Sequence, residues 1–344
     1  MNIRLLASLI SAAIAVALPT AARAEDPLFA SNDQVQLTLK APLNALFRHR
    51  ESNDLVAGVL IDPAGQSLPV NLRLRGITRR TAEVCDFPPL RVDFTAPPPP
   101  TSIFAGQKRL KLVTHCKNSA SFQQKVLLEY ASYRMYNLLT PHSFLVRLAN
   151  INYQDADGRP MTTRVGFFIE DLGDVARRNG TVQTRAPALI PREDLVPADA
   201  ARYAMFQHLI ANHDWSMRAG PQGEDCCHNA PLIGPLGPGT TIPIPYDFDF
   251  SGLVDAPYAS PPDELRINSV RERKYRGYCS HNAEALAAAR QMREMRPQMI
   301  AVLTSVPGLD PSTQKRAIAY LDGFFASDGS DADAQAKILS RCAG

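Results

Sequence analysis

The stretch "LVRLANINYQDADGRPMTTRVGFFIE", Leu145 to Glu170, reads as two β-strands and the turn that joins them. Both flanks are rich in β-formers, and Asp157-Gly158 supplies a residue pair that accepts the backbone twist of a tight hairpin. Working outward, "QVQLTLKAP", "LPVNLRLRG", "LRVDF" and "KRLKLVTHC" alternate apolar and polar residues or share the same composition, as half-buried strands do. "PPPP" at Pro97 to Pro100 is a stiff connector that no sheet interior accepts. Between the fourth and fifth of these strands lies "SASFQQKVLLEYASYRMYNLL", with Phe122, Val126, Leu127, Tyr130, Tyr133, Met135 and Leu138 on a helical face. Ser119 or Ser121 can cap it, and Pro141 stops it. The expectation is one helix packed on a small antiparallel sheet.

After Asp171 the pattern changes. Residues 172 to 197 are rich in Gly, Arg and Pro, and "PADAARYAMFQHLIANHD" then carries Tyr203, Phe206, Leu209 and Ile210 on one helical face, leaving Asp214 just beyond the helix. Helices are expected at about 282 to 304, 312 to 325 and 331 to 341. No internal repeat and no βαβ alternation is visible, so the class is α+β: a β-rich half, residues 25 to 171, and a mainly helical half, residues 172 to 344, that carries the acidic residues.

The first residues open with Arg4, continue through roughly fifteen mostly apolar residues and close on Ala22-Arg23-Ala24, the pattern of a cleaved secretory signal over residues 1 to 24. The expected product is periplasmic or secreted and has no later apolar run long enough to span a bilayer. All six cysteines lie after Ala24, and an oxidising route makes three disulfides the default. Pairing Cys85 with Cys116, and Cys226 and Cys227 with Cys279 and Cys342, keeps each half self-contained. With 37 basic and 34 acidic residues the chain has no charge excess that calls for a nucleic acid. Basic runs such as Arg73, Arg75, Arg79, Arg80 and Arg271, Arg273, Lys274, Arg276 are local, and the second reads as a solvated face.

GxSxG, HExxH, Walker-type, GxGxxG and CxxC motifs are all absent. What remains is "IPIPYDFDFSG", Ile242 to Gly252. In an extended segment Asp247 and Asp249 share a face, about 7 Å apart, with Tyr246, Phe248 and Phe250 on the other. Two such carboxylates raise each other's pKa unless a cation compensates, and a hard divalent ion bridged to phosphate oxygens does so. "ANHDWSM" places Asp214 upstream, and "CCHNAP" places His228 and Asn229 between the acidic sites. A proton-accepting carboxylate, then an amide, then a metal-binding aspartate is the order a phosphotransferase needs.

"VNLRLRGIT", "LRVDF", the stretch from "KRLKLVTHC" to "GFFIEDL", "ANHDW" and "PYDFDFSG" follow in order the pattern of the CotH-type, spore-coat H-like atypical protein kinases, and the chain resembles that family over most of residues 70 to 255. The resemblance implies a bilobal protein-kinase-like fold, with an antiparallel-sheet lobe bearing one helix above a mainly helical lobe. It implies Asp214 as the catalytic aspartate, Asp247 and Asp249 as ligands of Mg²⁺ or Mn²⁺, and Asn229 as a looser match to the metal-binding amide. Arg75 and Gly76 match the phosphate-covering turn, and Glu170 the end of the strand joining the lobes. Where the family has a phosphate-binding lysine this chain has Pro88 or Pro89. Arg91 is the nearest substitute, Lys111 and Lys125 are further candidates, and Glu129 is a partner for one of the lysines.

Three readings follow. The first is a secreted phosphotransferase using ATP or another phosphoryl donor and a protein or small hydroxyl acceptor. The second is an inactive kinase-like binding or scaffold module. The third is a metal-dependent hydrolase built on His213, Asp214, His228, Asp247 and Asp249.

Overall fold

The computed structural model describes residues 26–344; the expected signal segment lies outside the described residues. Seven strands form the β-rich half: β1 (Val35–Lys40), β2 (Val56–Ile61), β3 (Ser67–Leu74), β4 (Leu90–Phe94), β5 (Arg109–Val113), β6 (Val146–Gln154) and β7 (Pro160–Ile169). The β6–β7 hairpin forms as its sequence predicts, with Val146 opposite Ile169. The sheet, however, is not open. β1 pairs antiparallel with β2 on one side and parallel with β6 on the other, closing a barrel in the order β1-β2-β3-β4-β5-β7-β6.

This overturns the bilobal kinase-like arrangement with an antiparallel sheet and one helix. The same half also holds a short helix, α1 (Leu43–Arg48), and a separate three-stranded sheet, β8 (Gln183–Thr184), β9 (Leu232–Ile233) and β10 (Ile242–Pro243), lies beyond it. The deciding element is β2, "VAGVLI", which the sequence pattern did not single out. It bridges β1 to β3, so both edges of the sheet find partners and neither is left with unpaired backbone groups. Closure also needs close backbone approach. A Cβ on Gly166 of β7 would stand 2.5 Å from the carbonyl oxygen of Val113 in β5.

Strand periodicity explains where the core sits. In β7, Phe168 points into the barrel, with Leu112, Leu72 and Tyr153, while Phe167 and Ile169 point outward into a second apolar cluster. Strands buried on both faces lose polar alternation, which is why "VGFFIE" is nearly continuous in apolar residues. The second cluster is built on α2 (Ala120–Asn137), α4 (Pro197–Ile210), α5 (Asn282–Ser305) and α6 (Pro311–Ser327). Ser119 caps α2 by accepting from the Phe122 amide. The helix then buries every residue from Val126 to Tyr133, so it has no polar face over those two turns. It is a central helix wedged between the barrel and α5, not the one-faced helix that the spacing predicts. Of the three expected C-terminal helices, α5 and α6 form, whereas 331 to 341 is a run of short irregular helical turns.

Three disulfides are present. Cys85–Cys116 is as expected, but the other pairs are Cys226–Cys227 and Cys279–Cys342. The last ties the chain's end to the start of α5, so the expectation that cysteines 226 and 227 reach 279 and 342 does not hold. Among the described residues no helix is long and apolar enough to cross a membrane.

The loop after β3 is the part of the barrel that bears on function. Gly76, at φ +83°, turns the chain out of the strand in a conformation costly for any residue with a Cβ. Cys85–Cys116 and the Arg50 guanidinium, which donates to the carbonyls of Cys85 (2.6 Å) and Asp86 (2.9 Å), hold the loop's far end. Replacing Cys85 and Cys116 together by alanine should therefore cost about 2–4 kcal/mol in urea unfolding, with faster amide exchange concentrated between residues 76 and 86.

Candidate functional site

A cleft of about 500 Å³ opens where four separate segments meet: the loop after β3, strand β5, the loops on either side of Asn229, and the segment after β10. The first brings Arg75, Gly76 and Arg79, and β5 brings Lys111. Asp214, His228 and Asn229 face them, and Asp247 and Asp249 form the base.

Asp247 reaches its position by a route that strand alternation does not describe. β10 ends at Pro243, and Asp247 has φ +59°, which breaks the extended run. Phe248 and Tyr246 both pack into the core, and Tyr246 and Phe250 line the cleft beside the aspartates. The Asp247 backbone amide donates to the Tyr133 hydroxyl at 2.9 Å, which anchors the strained residue to α2.

The two aspartates converge on Arg79. Its buried guanidinium donates to Glu129 of α2 at 2.8 Å and to Asp247 at 2.7 Å, and it forms an ion pair with Asp249 at 3.1 Å. Burial alone would drive its proton off, but Asp249 and Glu129 more than offset that and hold it charged. Burial pushes Glu129 up despite Arg79, and pushes Asp249 well above the carboxylate range. Burial also acts on Asp247, yet Arg79 and Arg75 outweigh it and bring its pKa down. Three carboxylates on one guanidinium leave the cluster with an excess of negative charge, and burial weighs most heavily against the charged form of Asp249. Glu129 was expected to pair with a lysine; Arg79 takes that role, and no sequence motif marked it out from its basic neighbours.

The barrel side carries the opposite charge. Lys111 is half-buried, with its ammonium 4.2 Å from the centre of the Tyr246 ring, and desolvation lowers its pKa to about 8. Arg75 donates to the Tyr246 hydroxyl. Arg91 sits across the strand pair from Lys111 but ion-pairs with Asp93 at 2.8 Å and does not line the cleft. Glu170 is also outside it. It lies buried after β7, accepting from the Leu145 amide at 2.9 Å and pairing with Arg178 at 2.9 Å. Lys125 faces a different cavity.

Opposite Lys111, the Asp214 carboxylate takes one hydrogen bond with the His228 ring at 2.7 Å and another from the Asn229 amide at 3.0 Å. The Asn229 nitrogen also reaches the Asp214 carbonyl at 2.7 Å, so this side chain positions Asp214 directly. Its bond to Asp214 raises the pKa of His228 above the usual histidine range. His213, by contrast, is buried against the Glu272 carbonyl at 2.8 Å and is not part of the cleft. The five-residue hydrolase constellation therefore does not assemble.

The arrangement fits a divalent ion only in part. The centre of Glu129, Asp247 and Asp249 belongs to Arg79, and Glu129 gives both oxygens to it. Asp247 is the one carboxylate of the three with appreciable exposure, about a quarter of its side chain. A Mg²⁺ or Mn²⁺ ion would therefore have to meet the cleft-facing edge of Asp247, where it would balance the residual charge.

No family model matches the chain, and no curated protein matches it.

Breaking the buried network should be costly, because it strands charges that water cannot reach. Arg79→Ala should lower unfolding stability by about 3–5 kcal/mol. A double-mutant cycle of Arg79→Ala with Glu129→Gln, followed by urea unfolding, should give less than the sum of the two single losses.

Proposed function

We propose that this cleft binds a nucleotide or related phosphate ester and transfers its phosphoryl group to a hydroxyl acceptor on a protein or small molecule, outside the cytoplasm. The observation that carries this reading is the meeting of Arg75, Lys111, Asp214, Asn229 and Asp247, from four distant segments, around one cavity. The three disulfides suit an oxidising compartment. The order of the motifs, which resembles that of the CotH-type kinases, supports the same chemistry on a different architecture.

The roles follow from charge and position. Arg75 and Lys111 take the phosphate oxygens, and with its pKa at about 8 Lys111 is mainly cationic at neutral pH. An acceptor hydroxyl on the opposite wall donates to Asp214, whose orientation is set by Asn229 and His228. As the acceptor oxygen bonds to phosphorus and the bond to the leaving oxygen breaks, the hydroxyl proton passes to Asp214, with His228 beside it to share the charge. A divalent ion at Asp247 would neutralise the transferring phosphoryl oxygens. Arg79 keeps Asp247 ionised and immobile throughout. Most of the rate gain would come from alignment and preorganised charge.

A second reading rests on Arg79 itself. A guanidinium filling the centre of the acidic cluster leaves less room for metal than a set of free carboxylates, which favours a module that binds phosphate esters without turning them over. Asp214 separates the two.

With Mg²⁺ and ATP, the protein lacking residues 1–24 should show a metal-dependent thermal shift that Asp247→Ala removes. Asp214→Asn should keep the shift and lose about 10²–10⁴-fold in transfer rate. A wild type that binds but never transfers would support the binding module, and one that shows no shift would defeat both readings.

Lys111 adds a pH signature. Phosphate binding needs its protonated form, so affinity should hold below pH 8 and fall as the pH rises above it, by up to tenfold per unit. Lys111→Arg should flatten that fall, as calorimetric titrations between pH 6 and 10 would show.

A further inference from the structure

Lys125 and the basic run at Arg271 and Arg273 take no part in the cleft described above, yet they come together in a second and larger cavity of about 920 Å³. It lies between the first turns of α2, helix α6 and the segment around residues 271–273. Its charged lining consists of Lys125, Arg271, Arg273 and Arg316 against Asp255 and Asp310.

Both acids have other partners. Asp310 caps α6, accepting from the Thr313 amide at 2.8 Å and the Ser312 hydroxyl at 2.6 Å, and Asp255 faces Arg271 at 3.3 Å. Arg316 donates only to hydroxyls of its own helix, Ser312 at 3.2 Å and Thr313 at 2.8 Å. Lys125 makes no hydrogen bond or ion pair among the described residues. Arg271 and Arg273 lie over the same Tyr320 ring, at 4.5 and 4.1 Å from its centre. Arg273 also donates to the carbonyls of Leu209 and Tyr320, so that pair of like charges is fixed in place.

Lys125 is half-buried while Arg271 and Arg316 stand exposed at the rim, and among the described residues neither Lys125 nor Arg316 has a carboxylate partner. The field shows on Lys125: burial lowers its pKa, Asp255 opposes this, and Arg316 and Arg271 lower it further. The solvated face that the sequence suggests for residues 271–276 holds for Arg271 and Lys274, which are exposed, but not for the other two. Here Arg273 and Arg276 are instead hydrogen-bonded to backbone carbonyls and stacked on aromatic rings.

We propose that this second cavity is a binding site for a phosphate-type dianion, held by Lys125 and Arg316 with Arg271 and Arg273 behind them. Two guanidinium edges and an ammonium around one concavity match the oxygens of a phosphate or phosphomonoester, whether free or carried on a phosphorylated chain. The site is separate from the cleft at Asp214 and does not depend on the activity proposed there.

Inorganic phosphate, pyrophosphate and a phosphoserine peptide, each titrated calorimetrically into the protein lacking residues 1–24, test it. Wild type should bind, Lys125→Gln/Arg316→Gln should weaken binding at least tenfold, and Lys111→Met should leave this site intact. The charge-keeping pair Lys125→Arg/Arg316→Lys should restore most of the affinity, and Lys125→Gln/Arg316→Gln should melt no lower than wild type in anion-free buffer. Tighter binding of the peptide than of phosphate would identify a phosphorylated chain as the source, and equal binding a free ion. Wild type that binds none of the three, full affinity in Lys125→Gln/Arg316→Gln, or loss of all binding in Lys111→Met would overturn the proposal.

Discussion

Arg79 is the residue on which the rest of the site depends. A guanidinium in a dry interior needs carboxylate partners, and carboxylates in a dry interior need a cation. Here the loop after β3 supplies the first, while α2 and the segment after β10 supply the others. The network links the three elements through charge, beside the hydrogen bonds from the Asp247 amide to Tyr133 and from Arg75 to Tyr246. It also explains why α2, buried on every side around it, carries a glutamate at position 129: that carboxylate takes both oxygens to Arg79.

The same network sorts the cleft by charge. Arg79 binds all three carboxylates, and Asp247, whose pKa Arg79 and Arg75 bring down, is the one that faces the opening. The remaining cations, Arg75 and Lys111, belong to the barrel wall, and Asp214 with its two supporting side chains belongs to the opposite one. Backbone strain is concentrated at the same place. Asp247 and Asn229 both adopt positive φ without being glycine, and each is held there by hydrogen bonds to the rest of the site.

Much of this was legible from local signals. Asp214 follows a helix whose face is plain in the sequence, and Asp247 and Asp249 stand out as charges in an apolar run. The β6–β7 hairpin, α4, α5 and α6 follow from turn chemistry and periodicity. Three features were not legible, each because it depends on a partner far along the chain. Arg79 looks like its neighbours Arg75 and Arg80 until Glu129 and Asp247 arrive, 50 and 168 residues away. β2 is a short apolar run whose meaning comes from pairing with β1 and β3. Cys226 and Cys227 bond to each other, which keeping each half self-contained did not suggest.

By itself, then, the sequence determined most of the strands and helices and which residue types are available for chemistry, since these follow from side-chain periodicity and from groups close in the chain. The tertiary structure decided that the sheet closes through β1 and β6, and that Arg79 lies at the centre of the acids. It also divided the lysines, with Lys111 at one cavity and Lys125 at another. Those outcomes rest on burial and on charge balance between distant segments, and neither quantity exists until the segments meet.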